Sequence, residues 1–203
     1  MGGNEDHDEK FLENLQLPPN LMRLKIVQYS GKVMSSKWVT LLKKLRFLSL
    51  NHCMKLDNLP PLGKLSSLES LIIRSSRNVE RVGNEFLGLE ITDSKSLAEA
   101  FPKLEHLEFQ DMKEWKEWNY GIVFAKEENV KIMERIESLT IAFCPKLKTL
   151  PDYIYKATTL KELKIISCPE LEKIKDSIQT KLMDSSGCRP KFFDLKYIEK
   201  GSH

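Results

Sequence analysis

Histidines, cysteines and charged side chains are where chemistry could reside in this 203-residue chain. The four histidines, His7, His52, His106 and His203, form no His-x-x-x-His pair and no His-Cys set of metal-ligand spacing. His106 beside Glu108 invites a general-base reading, against the blander one of a solvated imidazole. Acids are too numerous, at 29, for one carboxylate pair to stand out. Three of the four cysteines, Cys53, Cys144 and Cys168, each follow a leucine (Leu48, Leu139, Leu163) by five residues. That regularity predicts inward-facing thiols that hydrogen-bond backbone groups of a neighbouring coil, with a disulfide as the alternative. There is no Cys-x-x-Cys pair, so zinc and redox chemistry lose support. What remains is non-covalent recognition, carried by polar side chains at regular places.

The elements that must position them are written in leucine. Leu-x-x-Leu-x-Leu/Ile/Phe recurs at Leu45-Leu48-Leu50, Leu68-Leu71-Ile73, Leu104-Leu107-Phe109, Ile136-Leu139-Ile141 and Leu160-Leu163-Ile165, with an earlier copy at Leu21-Leu24-Ile26. One copy cannot bury its own apolar face, so copies must stack into a solenoid. The expected fold is an α/β repeat protein, a leucine-rich-repeat horseshoe with a parallel sheet on the concave face and loops and short helices on the convex face. The Leu-x-Leu core of each copy alternates apolar and polar residues, as a half-buried strand does.

Residues between the leucines then point to the concave surface, where they form the candidate partner-binding set. They are Arg23 and Lys25; Phe47, Ser49 and Asn51; and Ile72 and Arg74. Later copies add His106, Glu108 and Gln110, then Thr140, and finally Glu162 and Lys164. The scaffold sets where these side chains sit, and they can vary without touching the core. Solvation alone is the competing reading for any one of them.

The spacing is uneven. Steps between central leucines are 24 residues to Leu48, 23 to Leu71, 36 to Leu107, 32 to Leu139 and 24 to Leu163. Against a period of about 20–29 residues, the two long steps carry insertions, near residues 83–100 and 115–130. The domain is expected to span residues 11–200 with about six repeats, after a disordered tail over 1–10 and before a tag remnant at 201–203. Proline breaks long helices after the strands, so loops and short turns are expected there. Helical turns are predicted at Lys126 to Glu134 and at Ile174 to Met183, the latter capped by Asp176 or Ser177. Trp115, Trp118 and Tyr120 form an aromatic cluster that is either packing or an exposed partner contact.

Bulk properties narrow the function further. Net charge is +3, from 32 basic and 29 acidic residues that interleave, which leaves no electrostatic footprint for nucleic acid. Hydrophobic residues are 41% and charged residues 30%, ordinary for a folded chain, and no apolar run approaches a membrane span.

The phrases between the leucines are more specific. Leu59-Pro60-Pro61-Leu62-Gly63-Lys64-Leu65, Val82-Gly83-Asn84-Glu85-Phe86, Phe101-Pro102-Lys103-Leu104 and Met112-Lys113-Glu114-Trp115 follow in order, then Cys144-Pro145-Lys146-Leu147 and Cys168-Pro169-Glu170-Leu171. This series resembles the C-terminal leucine-rich repeats of plant intracellular nucleotide-binding leucine-rich-repeat resistance proteins of the coiled-coil subclass, over about residues 8–175. The resemblance implies a non-enzymatic sensor that recognises a pathogen effector or a modified host protein. It also implies contact with the receptor's own nucleotide-binding domain and a cytoplasmic setting, with nuclear or membrane-peripheral pools allowed. ADP or ATP is implied only for that other domain, since no Gly-x-x-x-x-Gly-Lys-Ser/Thr loop occurs here and Gly63-Lys64 is a repeat turn. The alternative is a stand-alone repeat adaptor, such as a ubiquitin-ligase substrate receptor.

Overall fold

A computed structural model describes residues 17–89, 98–119, 130–186 and 190–195. In chain order its strands are β1 (Arg23–Val27), β2 (Phe47–Asn51), β3 (Ser70–Arg74), β4 (Arg81–Val82), β5 (Ala98–Ala100) and β6 (His106–Gln110). There follow β7 (Glu117–Trp118), β8 (Val130–Ile132), β9 (Ser138–Ala142), β10 (Glu162–Ile166) and β11 (Lys191–Leu195). Short helices lie between them: α1 (Lys37–Leu41), α2 (Asn84–Leu87), α3 (Asp152–Tyr155), α4 (Pro169–Glu172) and the longer α5 (Lys175–Ser186).

The five-residue strands form one parallel sheet in the order β1-β2-β3-β6-β9-β10-β11. Every pairing keeps the leucine phrase in register, so Leu24, Leu48, Leu71, Leu107, Leu139 and Leu163 make one column. Ile26, Leu50, Ile73, Phe109, Ile141 and Ile165 make a second. From β2 to β10 these side chains are essentially sealed from water, while Leu24 and Ile26 on β1 are half-buried. Complete burial of one such side chain stabilises by about 1.5–3 kcal/mol. A one-residue slip would turn a whole column outward, and this is what locks the register.

The long steps obey the same stacking rule. β4 pairs with β7 and β5 with β8, both parallel, so the described residues at either end of the first insertion lie on their counterparts in the next coil. Val130–Ile132, expected to be helical, is therefore a strand, because its backbone groups pair with β5. A longer coil encloses a wider section, and large rings fill it. Phe109 lies 4.7 Å from Trp115, 5.3 Å from Trp118 and 6.0 Å from Phe86, centroid to centroid, and Phe86 lies 5.0 Å from Phe101.

Elsewhere the convex side is built as expected from short turns, with Leu56, Leu59, Leu62, Leu147 and Leu150 buried behind the strands. Helix α5 buries Ile178 and Leu182, but it begins at Lys175, so Asp176 lies in its first turn rather than at its cap. The seventh rung, β11, pairs in register with β10 although it lacks the leucine phrase. The ladder thus runs one strand past the six copies of the phrase.

Every residue that follows a long strand up to β10 adopts a left-handed backbone: Gln28, His52, Ser75, Asp111, Phe143 and Ser167, at φ between 51° and 58°. None is glycine, and such a conformation costs an ordinary residue about 1–2 kcal/mol. The offset is a hydrogen bond made in that pose. The His52 amide donates to the Arg74 carbonyl, Ser75 to Gln110, Asp111 to Ala142 and Phe143 to Ile166, at 2.8–2.9 Å. The same turn drives the next residue inward, which buries Cys53, Ser76, Met112, Cys144 and Cys168.

The thiols use this position as the spacing predicts. Cys144 Sγ donates to the Ala142 carbonyl at 3.3 Å, and the Cys144 amide donates to Cys168 Sγ on the neighbouring coil at 3.4 Å. All three thiols are free and buried, and burial pushes Cys53 up to about 11. A thiol so disfavoured as thiolate is a poor nucleophile, which fits a structural role.

Candidate binding surface

On the outward face the same register makes three columns of side chains. The first holds Arg23, Phe47, Ser70, His106, Ser138 and Glu162, and the second Lys25, Ser49, Ile72, Glu108, Thr140 and Lys164. The third holds Val27, Asn51, Arg74, Gln110, Ala142 and Ile166. All thirteen residues of the candidate set therefore lie on this one face. Most are exposed or half-buried; Ser49 is the exception, at 6% exposure, because its register neighbours Lys25 and Ile72 are longer and flank it. Ser49 is thus a spacer between its neighbours rather than a contact surface.

The charges on this face are largely spent on one another. Arg74 Nε meets Glu108 Oε1 at 2.7 Å across two rungs. Glu162 takes Lys164 at 2.9 Å and the Ser138 hydroxyl at 3.1 Å, and the lysine holds its carboxyl below the usual range. The Arg23 guanidinium sits 4.2 Å from the Phe47 ring centroid, a cation–π contact. His106 is exposed, and the carboxylate two residues on is engaged by Arg74, so the base pairing suggested by their spacing is not assembled.

The two tryptophans of the aromatic cluster are not part of any surface. Trp115 and Trp118 are 0% and 2% exposed, and Trp115 Nε1 donates to the Glu117 carbonyl at 2.9 Å. The contact role considered for them gives way to packing, because the inserted coils need rings to fill their width. Tyr120 lies outside the described residues.

One part of the face had no sequence signal. The left-handed residues form a fourth column beside the third, with Asp111 as its hub. Ser75 Oγ donates to Asp111 at 3.1 Å, Arg77 approaches it at 2.7 Å and Lys113 at 3.0 Å. Burial pushes this carboxyl up, but the three donors together outweigh it and hold it below the usual aspartate range. A depression of about 510 Å³ opens here, with Asn51, His52, Arg74 and Ser75 on two rungs and Gln110, Asp111, Lys113 and Phe143 on the next two and beside them. A left-handed turn is normally read from glycine or asparagine, and none stands at these positions. The only available clue was the fixed place, one residue past each strand.

Comparison with known proteins agrees with this architecture. A family model of R13L1/DRL21 leucine-rich repeats matches residues 2–76. An Arabidopsis thaliana protein named as a disease resistance protein is 36% identical over 123 residues, 60% of this chain and 12% of its own length. The disease-resistance RPP8-like protein 2 of the same plant is 38% identical over 112 residues, 55% of this chain and 10% of its own length. The protein named for disease resistance as RGA4 in Solanum bulbocastanum is 29% identical over 144 residues, 70% of this chain and 14% of its own length. The chain thus spans about a seventh or less of each of these relatives. Leucine spacing, the stacked ladder and the relatives point the same way: the chain is similar to the leucine-rich repeats of plant disease resistance proteins.

Proposed function

We propose that this chain is the recognition module of a plant immune receptor of the coiled-coil, nucleotide-binding class. Its concave face meets a pathogen effector or a host protein altered by one. In the resting receptor the repeats contact the nucleotide-binding domain and favour its inactive state, and ligand binding shifts that equilibrium. The observation that carries the reading is the division of labour within each strand. Inward positions are restricted to Leu, Ile and Phe, while outward positions range over Arg, Lys, Phe, Ser, His, Glu and Gln on the same backbone.

ADP or ATP belongs, on this reading, to the nucleotide-binding domain. Gly63, the residue of this chain closest to a phosphate-loop fragment, is ill suited to cradle a phosphate. An added Cβ there would lie 2.1 Å from the Leu87 carbonyl oxygen, so its backbone is packed against α2. On this reading the receptor works in the cytoplasm; separately, no described helix is long and apolar enough to cross a membrane.

The test uses purified nucleotide-binding domain and the full receptor. Association of this chain with that domain, weakened by Arg23→Glu with Lys25→Glu, together with autoactivity when the repeats are deleted, is the expected result. No association and no change in autoactivity would remove the regulatory half.

A further inference from the structure

The depression beside the third column is donor-rich in a way that selects a ligand. Two acids stand in or beside it, and both are engaged: Glu108 by Arg74, and Asp111 by Ser75, Arg77 and Lys113. Three cations face those two acids. A guanidinium carries five N–H donors and an ammonium three, whereas a carboxylate offers about four acceptor sites. The donors of Arg74, Arg77 and Lys113 therefore outnumber the acceptors that Glu108 and Asp111 supply. Asn51 and Gln110 flank Arg74 in register on either side; each amide brings two N–H donors and a carbonyl acceptor, so the excess of donors comes from the three cations. A group that only accepts hydrogen bonds matches such a hollow.

We infer that this depression is a carboxylate-recognition subsite, taking the side chain of a partner's glutamate or the carboxylate of a partner's C-terminus. Arg74 and Lys113 supply charge, and the Asn51 and Gln110 amides complete the hydrogen bonds. Phe143 also lines the depression and offers an apolar neighbour to the methylene arm that carries the anion. A volume of about 510 Å³ accepts more than one residue, so the anion arrives on a short stretch of chain. Charge-assisted bonds of this kind are about twice as strong as neutral ones. A glutamine in place of the glutamate would also bring N–H groups into a site already rich in donors.

This subsite rests on the recognition reading above, but it can fail separately from it. The test is amide chemical-shift titration of the isotope-labelled 203-residue chain with four capped tripeptides. N-acetyl Ala-Glu-Ala amide is compared with its Gln counterpart, and N-acetyl Ala-Ala-Ala with a free carboxylate is compared with its amide. Saturable shifts at His52, Ser75 and Asp111 from at least one carboxylate peptide, with at least fivefold weaker binding of its neutral counterpart, are expected. Whichever carboxylate peptide binds more tightly identifies the source. Arg74→Gln and Lys113→Gln should each weaken that binding at least threefold, and two variants guard against one failing to fold. Equal response to charged and neutral peptides, or no response to any, overturns the subsite. If the peptides fail while Arg23→Glu with Lys25→Glu still releases the nucleotide-binding domain, the subsite falls and the recognition reading stands. If the peptides bind while deletion of the repeats leaves the receptor unchanged, the subsite stands without the regulation.

Discussion

The inner and outer faces of the sheet share one backbone and differ in almost everything else. From β2 to β10, the inner columns hold Leu, Ile and Phe sealed from solvent. Two of the outer columns, the first and second, mix both charges, hydroxyls, the Phe47 ring and the aliphatic Ile72 at the same heights. The inner face is constrained because each side chain touches its counterparts one rung away, so an error at one rung disturbs two others. The outer face is constrained only by what it meets. A stacked repeat can therefore carry many surfaces on one core, and this separation suits a protein that must recognise.

The sharpest way to break that comparison is at the widest part of the core. Phe109→Ala removes a ring that contacts Phe86, Trp115 and Trp118, and should cost about 3–5 kcal/mol in urea unfolding. A loss below about 1 kcal/mol would show that the inner columns are not the constrained ones. Gly63→Ala comes next, at about 1–3 kcal/mol. The clash is with the Leu87 carbonyl, a backbone atom that cannot rotate away, and it is measured the same way.

The left-handed turns stand between the two faces and should respond in an intermediate manner. His52→Val, a β-branched residue at φ 56°, should cost about 1–2 kcal/mol, whereas His52→Asn should change stability by less than about 0.5 kcal/mol. Equal thermal midpoints for these two variants would mean that the turn is not held left-handed in solution. On the outer face, Lys25→Glu should leave stability within about 0.5 kcal/mol while weakening capture of the nucleotide-binding domain. Large destabilisation there would erase the distinction between the faces.

Acid provides the mildest probe. Asp111 and Glu162 are held below their ordinary range by neighbouring cations and hydroxyls, as are Glu69 by Arg46 and Glu137 by Lys161. Groups depressed in the folded state stabilise it above their unfolded values, near pH 4, and lose that contribution as pH falls through the folded ones. Thermal midpoints should be insensitive to these groups between about pH 5 and 8 and should drop below about pH 4. Asp111→Asn should flatten that drop.

Much of this was legible before any coordinates, because the pattern responsible is local. Alternation with period two and a recurring leucine phrase specify strands, their inward faces and, through in-register stacking, which rung lies beside which. The inward Cys53, Cys144 and Cys168 followed from the same reasoning. So did the exposure of Arg23, Lys25 and His106, since their neighbours in sequence must face the core. Trp115 and Trp118 were ambiguous because an aromatic residue is equally at home in a core and in an interface, and only the width of the coil decides between them.

What the chain determined by itself, then, was the ladder: six leucine phrases, their strands, the buried columns and the face on which the polar residues stand. The tertiary structure alone decided the rest. It set β11 in register on β10, a pairing that the strand-like alternation of Phe193-Asp194-Leu195 does not fix, paired β4 with β7 and β5 with β8, and turned His52, Ser75, Asp111 and Phe143 left-handed to reach carbonyls on the next coil. It also paired Arg74 with Glu108 and gathered Ser75, Arg77 and Lys113 around Asp111. The physical reason is reach. Alternation acts between adjacent residues and can be read along the chain, whereas all of these pairings but that of Lys113 with Asp111 join different coils, some two to three dozen residues apart, and exist only once the coils are stacked.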